Sequence, residues 1–99
     1  MNLYSINAEY KNNTLNVSAP FKFALPDKGP TKDAIVNKVL MDIAIAVKPF
    51  AFFSEASDIM SLLTSDSEIK IENNELTLKY KDHEGTFKMN GDSWYMKGY

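Results

Sequence analysis

The sequence predicts an α+β domain: an antiparallel sheet, made of an N-terminal hairpin plus a C-terminal four-stranded meander, with two consecutive helices packed on one face. Two observations predict it. Apolar and polar residues alternate near both ends of the chain, around two Asn-Asn pairs, whereas the middle of the chain repeats apolar residues at helical spacing. With 99 residues, 44% of them hydrophobic, the chain is predicted to form one domain over residues 1–99.

The first hairpin is predicted from the stretch YKNNTLNV, residues 10–17. A similar pattern, IENNELTL, occurs sixty-one residues later. Asparagine tolerates positive φ, so each Asn-Asn pair suits a two-residue type I′ turn. The first turn sets Tyr10 opposite Leu15 and Ala8 opposite Val17. Residues 21–25 alternate again and are interpreted as a short additional strand before a loop rich in proline and glycine.

Two helices are predicted between the hairpins. The first begins at Pro30 and continues without glycine or proline until Pro49. Its second half carries one charge, Asp42, among residues that are apolar on nearly all sides, which is typical of a helix that is central or covered by another chain. A homo-oligomer through helix 31–48 is therefore an open alternative. Ser54 is the predicted N-cap of the second helix, which ends near residues 64–67.

The meander is predicted from three turns: Asn73-Asn74, the loop at residues 82–85, and Asn90-Gly91. The second turn sets Tyr80 opposite Phe87, and the third sets Phe87 opposite Trp94. All three turns place the same set of residues on one face, where the helices would pack. These predicted inward residues are Ile69, Ile71, Leu76, Leu78, Tyr80, Phe87, Met89, Trp94 and Met96.

Residues 54–80, SEASDIMSLLTSDSEIKIENNELTLKY, form a pattern of an amphipathic helix followed by strands of the type I-x-I-x(4)-L-x-L. This pattern resembles the helix-then-hairpin unit of DNA sliding clamps. The resemblance covers about a quarter of the chain and includes no functional motif. It implies a helix followed directly by a hairpin, and it carries no site residue over to this chain.

The composition narrows the classes of function. All eleven basic residues are lysine, and arginine, the residue best suited to guanine and phosphate recognition, is missing. The use of lysine, asparagine and isoleucine indicates an AT-rich genome such as that of a phage or a low-GC bacterium. The chain has no cysteine, a net charge of −2 and a polar start, so we predict a soluble, cytoplasmic protein that does not enter a membrane.

No catalytic motif is found in the sequence. His83 is the single histidine, and it lies in the predicted loop KDHEG between Asp82 and Glu84. A general base or a metal ligand is one interpretation of His83 and a polar hairpin loop is the other, which we favour because one histidine without cysteine is a poor metal set. We therefore predict that the protein is not an enzyme and has no catalytic, cofactor-binding or metal-binding residues.

Two surfaces are candidates for binding. The first joins the aromatic turn KPFAFF to an acidic helix, and it suits a protein partner. The second is the outward face of the sheet, where lysines interleave with tyrosine as in surfaces that stack the bases of single-stranded nucleic acid. The alternative is a solvent-exposed face whose lysines discourage edge-to-edge pairing of sheets and bind nothing. The predicted partner-binding residues are Phe50, Phe52, Phe53, Glu55, Asp58 and Asp66. The predicted sheet-face residues are Lys70, Lys79, Lys88, Tyr95 and Lys97.

The leading functional hypothesis is a small non-enzymatic protein-binding module that occludes or tethers a partner. A viral or mobile-element inhibitor or regulator of a host protein is its concrete version, resting on size, composition and the missing catalytic motifs. The alternatives are a single-stranded nucleic-acid-binding protein that uses the sheet face, and a self-associating structural or assembly protein.

Overall fold

The computed structural model describes residues 3–89 and 91–98. Its strands and helices alternate in blocks: two strands, two helices, then three strands. The strands are β1 (Ile6–Lys11), β2 (Thr14–Pro20), β3 (Glu68–Glu72), β4 (Glu75–Lys81) and β5 (Ser93–Gly98). The helices are α1 (Pro30–Val47) and α2 (Ala56–Asp66), with a short 3-10 turn at Lys48–Phe50 between them. None of the described helices is long and apolar enough to cross a membrane.

The five strands form one antiparallel sheet in the order β3-β4-β2-β1-β5. Both Asn-Asn pairs have positive φ at both residues, between 53° and 61°, as a type I′ turn requires. The predicted pairing of Tyr10 with Leu15 is confirmed, and Ile71 pairs with Leu76 across the second turn in the same way. The two turns therefore set the register of both hairpins.

The two hairpins are related by an approximate two-fold axis through the middle of the sheet. Strands β2 and β4 are adjacent there, and Val17 pairs with Leu78, which holds the equivalent position in the second of the two similar patterns. The backbone follows the same relation outside the strands. Asn13 O accepts the N–H of Asp82 at 2.7 Å, and Asn74 O accepts the N–H of Phe21 at 2.9 Å. Each turn thus closes on the end of the other hairpin.

The hydrophobic core lies between the inward face of the sheet and the two helices. Alternate residues along β1, β2 and β4 are buried, and they join the buried residues of both helices in one cluster. The predicted fold class is confirmed by this arrangement of a five-stranded antiparallel sheet and two helices. Helix α2 starts after Glu55 rather than after Ser54, and the Glu55 side chain makes no capping hydrogen bond.

Helix α1 supplies much of the core. The apolar second half is buried at Val39, Leu40, Ile43, Ala44 and Val47, so the chain's own sheet and second helix cover most of it. Asp42 is buried as well; it accepts hydrogen bonds from the Tyr4 hydroxyl and, at 2.8 Å, from Lys38 Nζ. Ile45, 50% exposed, is the large apolar residue that this half leaves in solvent.

The C-terminal region contributes three strands to the sheet, and the predicted strand around Phe87 does not form. Phe87 makes an isolated bridge to Ala51 instead of pairing with Tyr80. Strand β4 has β3 on one side and β2 on the other, so it has no free edge for another strand. Strand β5 consequently pairs with β1, with Trp94 opposite Tyr10. The predicted turn at Asn90-Gly91 lies partly outside the described residues, since Asn90 is not among them.

The predicted additional strand at residues 21–25 is reduced to a single bridge between Tyr4 and Phe21. Beyond it, the side chain of Asn74 holds the segment in an irregular course. Its amide donates to Phe21 O at 3.3 Å and to Phe23 O at 2.6 Å, and its oxygen accepts the N–H of Leu25 at 3.2 Å. The segment is thus fixed by a side chain rather than by strand pairing.

Candidate functional site

The connection between the two helices presents two phenylalanine rings to solvent. Pro49 ends α1 and the chain turns through Phe50, whose ring stacks on Trp94 with centroids 4.3 Å apart and an angle of 14° between the planes. Phe52 is 70% exposed and Phe53 is 39% exposed. Of the three predicted aromatic contacts, Phe50 is therefore anchored against the core, and Phe52 and Phe53 are available to a partner.

The backbone that carries Phe52 is held in place by the segment after β4. The N–H of Phe52 donates to Thr86 O at 2.9 Å, and the N–H of Lys88 donates to Phe50 O. Lys88 Nζ lies 5.4 Å from the centre of the Phe52 ring, within the range of a cation–π contact. The exposed ring is thus presented by an ordered backbone, which reduces the entropy lost on binding.

Asp82 organises the segment that supports Phe52. Its buried carboxylate accepts the N–H groups of Glu84, Thr86 and Phe87 at 3.0–3.2 Å. It also accepts the Tyr10 hydroxyl at 3.0 Å. Burial acts to raise the pKa of Asp82, but these four donors outweigh it and hold the pKa below its usual value. The carboxylate therefore stays charged and ties residues 84–87 to the centre of the sheet.

Two buried tyrosines respond to the same surroundings. Burial, and then the hydrogen bond to Asp82 and its negative charge, raise the pKa of Tyr10 to about 12. Burial also raises the pKa of Tyr80, whose hydroxyl is 3.2 Å from Thr86 Oγ1. Both hydroxyls are neutral at physiological pH, so the cluster is a set of structural hydrogen bonds around one carboxylate.

The acidic residues of α2 separate into two places. Glu55 immediately precedes the helix, Asp58 lies in its first turn, and both are exposed beside the exposed rings in sequence. Asp66 is the last residue of α2, about 12 Å beyond Asp58 at 1.5 Å per residue. It lines a different depression, together with Lys79, Lys81 and His83. Four of the six predicted residues, Phe52, Phe53, Glu55 and Asp58, are exposed and lie within seven residues of one another in the sequence; we call them the aromatic-acidic surface.

The outward face of the sheet forms an open groove of about 660 Å³. Four of the five predicted sheet-face residues line it: Lys70, Lys79, Tyr95 and Lys97. Its floor is made of small polar side chains, Asn7, Asn16, Ser18 and Thr77. Lys88 lies elsewhere, against Phe52 and outside the sheet. Glu9 and Glu68 also line the groove and offset two of its three positive charges.

His83 is an exposed loop residue near the end of β4. The depression that it lines also contains Ser65, Ser67 and Glu68. Within residues 3–89 and 91–98, no group of three or more histidine, cysteine, aspartate or glutamate side chains is placed to hold a metal ion.

Comparisons with known proteins do not assign a family to this chain. No protein-family model, no curated protein and no solved structure matches it.

The supporting residues of the site were missed by the sequence analysis. Asp82 and Asn74 were predicted as loop and turn residues, but their side-chain hydrogen bonds to residues 84–87 and 21–25 have no signature in the sequence. The contact of Thr86 with Tyr80 in β4 has none either. One available indication is that an aspartate at the start of a loop often accepts hydrogen bonds from backbone N–H groups a few residues further along the chain. The contact of Tyr10 with Asp82 spans 72 residues and has no local signature.

Proposed function

We propose that this protein is a small non-enzymatic binding module that docks onto a partner protein through the aromatic-acidic surface. The observation that carries the proposal is the 70% exposure of Phe52 on a backbone fixed by hydrogen bonds to the segment after β4. Exposed aromatic rings at a rigid position are the type of residue that dominates binding energy in protein interfaces. Burying one such ring in a partner contributes about 1.5–3 kcal/mol from the hydrophobic effect.

The charge around the rings indicates the kind of partner. Residues 49–69 contain no lysine, arginine or histidine, and Glu55 and Asp58 are both exposed there. Lys88 adds one positive charge beside the Phe52 ring, so the acidic character belongs to the start of α2. A partner with an apolar pocket rimmed by basic side chains would match both features of the aromatic-acidic surface. In this proposal the module acts by occluding or tethering its partner, as an inhibitor or regulator. A viral or mobile-element origin rests on size and composition alone.

Affinity capture with matched variants tests the proposal. The wild type is compared with Phe52→Ser/Phe53→Ser and with Tyr95→Ser, which removes an aromatic ring that is 74% exposed on the opposite, outward side of the sheet. We expect the wild type and Tyr95→Ser to retain the same partner. The double variant should lose it, with an affinity lower by on the order of 100-fold. Equal recovery by all three proteins would contradict the proposal.

The charge component is tested separately by Glu55→Lys/Asp58→Lys. Rim charges act mainly on the association rate, so this variant should associate more slowly with the captured partner. The difference should shrink as salt is added, because exposed charges are screened. An association rate that the charge reversal leaves unchanged would place the partner's contact away from the start of α2.

A second candidate function is single-stranded nucleic-acid binding in the outward groove. The observation that favours it is the convergence of Lys70, Lys79 and Lys97 with the exposed ring of Tyr95 on one groove. Fluorescence anisotropy with oligonucleotides at low salt should show binding that Lys79→Gln/Tyr95→Ala/Lys97→Gln abolishes. Lys88→Gln is the matched control, since Lys88 lies outside the groove. Failure of the wild type to bind at low salt would eliminate this candidate.

A further inference from the structure

The pseudo-two-fold relation between the hairpins leaves one position of the sheet unfilled. Strand β5 pairs along the outer edge of β1, from Ile6 to Lys11. The equivalent edge of the second hairpin is the outer edge of β3, where no strand pairs among residues 3–89 and 91–98. A strand added at β3 would occupy the place that β5 occupies at β1.

The backbone of β3 is prepared for such a strand. In a hairpin with a two-residue turn, Glu72 and Glu75 form the hydrogen-bonded pair next to the turn, and bonded and non-bonded pairs then alternate. Ile69 and Ile71 fall in non-bonded pairs, so their N–H and C=O groups point away from β4 to the free edge. Ser67, just before β3, continues in extended conformation with φ −128° and ψ 163°.

The side chains of β3 add a specific chemistry to this edge. Ile69 and Ile71 are half-buried against the core, and the outward residues Glu68, Lys70 and Glu72 are exposed. The incoming strand must therefore alternate apolar residues on the helix side with charges of opposite sign on the outer side. Strand β3 itself has this alternation.

We propose that the outer edge of β3 binds β3 of a second copy of this chain, antiparallel, about a two-fold axis at Ile69. Ile69 then forms a bonded pair with Ile69 of the second copy, and Ile71 bonds with Ser67 of the second copy. Glu68 lies opposite Lys70 of the second copy, and the symmetry repeats this pair. The two sheets join into one continuous ten-stranded sheet.

The alternation of charge along β3 selects this register. An axis at Lys70 would place Lys70 opposite itself and Glu68 opposite Glu72 of the second copy, which is repulsive at each outward position. An axis at Ile71 would pair Lys70 with Glu72 but would set Ile69 opposite the turn residue Asn73. The axis at Ile69 uses both isoleucines and the extended Ser67, and it sets Glu68 opposite Lys70 at both outward positions inside β3. Glu72 then falls opposite Asp66 of the second copy, which is the last residue of α2 and not part of the strand.

Sedimentation velocity over a range of concentrations tests the proposal, and the wild type should show a monomer–dimer equilibrium. Lys70→Glu places two pairs of glutamates across the interface, so the dimer dissociation constant should rise on the order of tenfold or more. Lys97→Glu is the matched control, because it makes the same charge change on the other edge strand and should leave dimerisation unchanged. Glu68→Lys/Lys70→Glu restores an opposite-charge pair at both intermolecular positions, so its dimer dissociation constant should return toward the wild-type value. Position 68 also faces Lys79 within its own hairpin, so the free energy of unfolding of this variant is measured alongside.

A measurement on the wild type makes the test independent of variant folding. Hydrogen exchange followed by NMR should slow at the amides of Ile69 and Ile71 as protein concentration rises, because these groups become bonded only in the dimer. The amide of Lys70, bonded within its own hairpin, is the internal control. A monomer at all concentrations, growth into larger species, exchange at Ile69 independent of concentration, or failure of the charge exchange to restore dimerisation would each overturn the proposal.

Discussion

The two Asn-Asn hairpins share a sequence pattern and a register, yet their surroundings give them different tasks. The first hairpin lies inside the sheet, between β4 and β5, and the second forms an edge. Asn74 fixes the segment 21–25 with three side-chain hydrogen bonds, whereas the side chain of Asn13 accepts a long contact of 3.4 Å from the Tyr10 hydroxyl. The local sequence therefore specifies the turn, whereas the segment that packs beside the turn determines which hydrogen bonds its side chains make.

The segments after the two inner strands differ in a similar way. The segment after β2 is held by the side chain of Asn74, which belongs to the other hairpin. The segment after β4 is held by the side chain of Asp82, which belongs to the segment itself. Phe21 and Asp82 occupy equivalent positions, and both donate their N–H to a turn carbonyl. One is an apolar core residue and the other a buried carboxylate. The backbone relation is thus preserved while the side chains have diverged.

The largest effect is expected from removing the carboxylate that organises the second of these segments. Asp82→Ala leaves three backbone N–H groups and the Tyr10 hydroxyl without their acceptor in a buried place. The free energy of unfolding should fall by about 3 kcal/mol or more. Urea denaturation measures it, with Asp92→Ala, an exposed aspartate, as the control. A change below about 1 kcal/mol would show that water replaces these bonds.

The next effect separates the two turns directly. Asn74→Gly and Asn13→Gly both keep the positive φ, which glycine adopts freely, so each change removes only the side chain. Asn74→Gly loses three hydrogen bonds and should lower the free energy of unfolding by about 1–2 kcal/mol. Asn13→Gly should change it by less than about 0.5 kcal/mol. Equal effects in thermal or urea unfolding would mean that Asn74 does not hold residues 21–25.

A smaller effect tests what the two hairpins have in common. Asn12→Ala and Asn73→Ala place a residue that lacks the polar side chain at φ 53° in each turn. The cost of the left-handed conformation should be about 1 kcal/mol in each case. The two free energies of unfolding should fall by the same amount within error. A clear inequality would show that the turns are not energetically equivalent despite their matched geometry.

The smallest expected effect is the pH dependence that Asp82 confers, because protonation keeps the side chain and some of its contacts. Its pKa is lower in the folded protein than in the unfolded chain, so its stabilising contribution is complete above the unfolded pKa and is lost as the pH falls through the folded pKa. Urea midpoints of the wild type should therefore fall below about pH 4. Asp82→Asn should flatten this acid slope, and an unchanged slope would assign it to other carboxylates.

The sequence predicted the register of the two hairpins, but it did not predict how the segments after β2 and β4 contact the rest of the fold. Register followed from Asn-Asn and from strict alternation, since a slip of one residue would turn Tyr10 or Leu76 to solvent. The predicted strand around Phe87 did not form. The Phe87 ring is buried as predicted, but its backbone bridges to Ala51, in the connection between the two helices, instead of pairing with Tyr80. For the candidate surfaces, the sequence identified suitable residue types but not their positions. Only the structure shows that Phe52 is exposed while Phe50 stacks on Trp94, and that Lys88 lies against Phe52 rather than in the groove.

Local sequence by itself determined the α+β class, the two type I′ turns and which side of each strand faces the core, because these depend on φ preferences and on periodicity over a few residues. Only the tertiary structure decided that β2 lies beside β4, that β5 covers β1, and that the outer edge of β3 has no strand beside it among the described residues. Such choices depend on which edges remain open once the other pairs have formed. That competition is settled between residues far apart in the chain, and no local pattern records it.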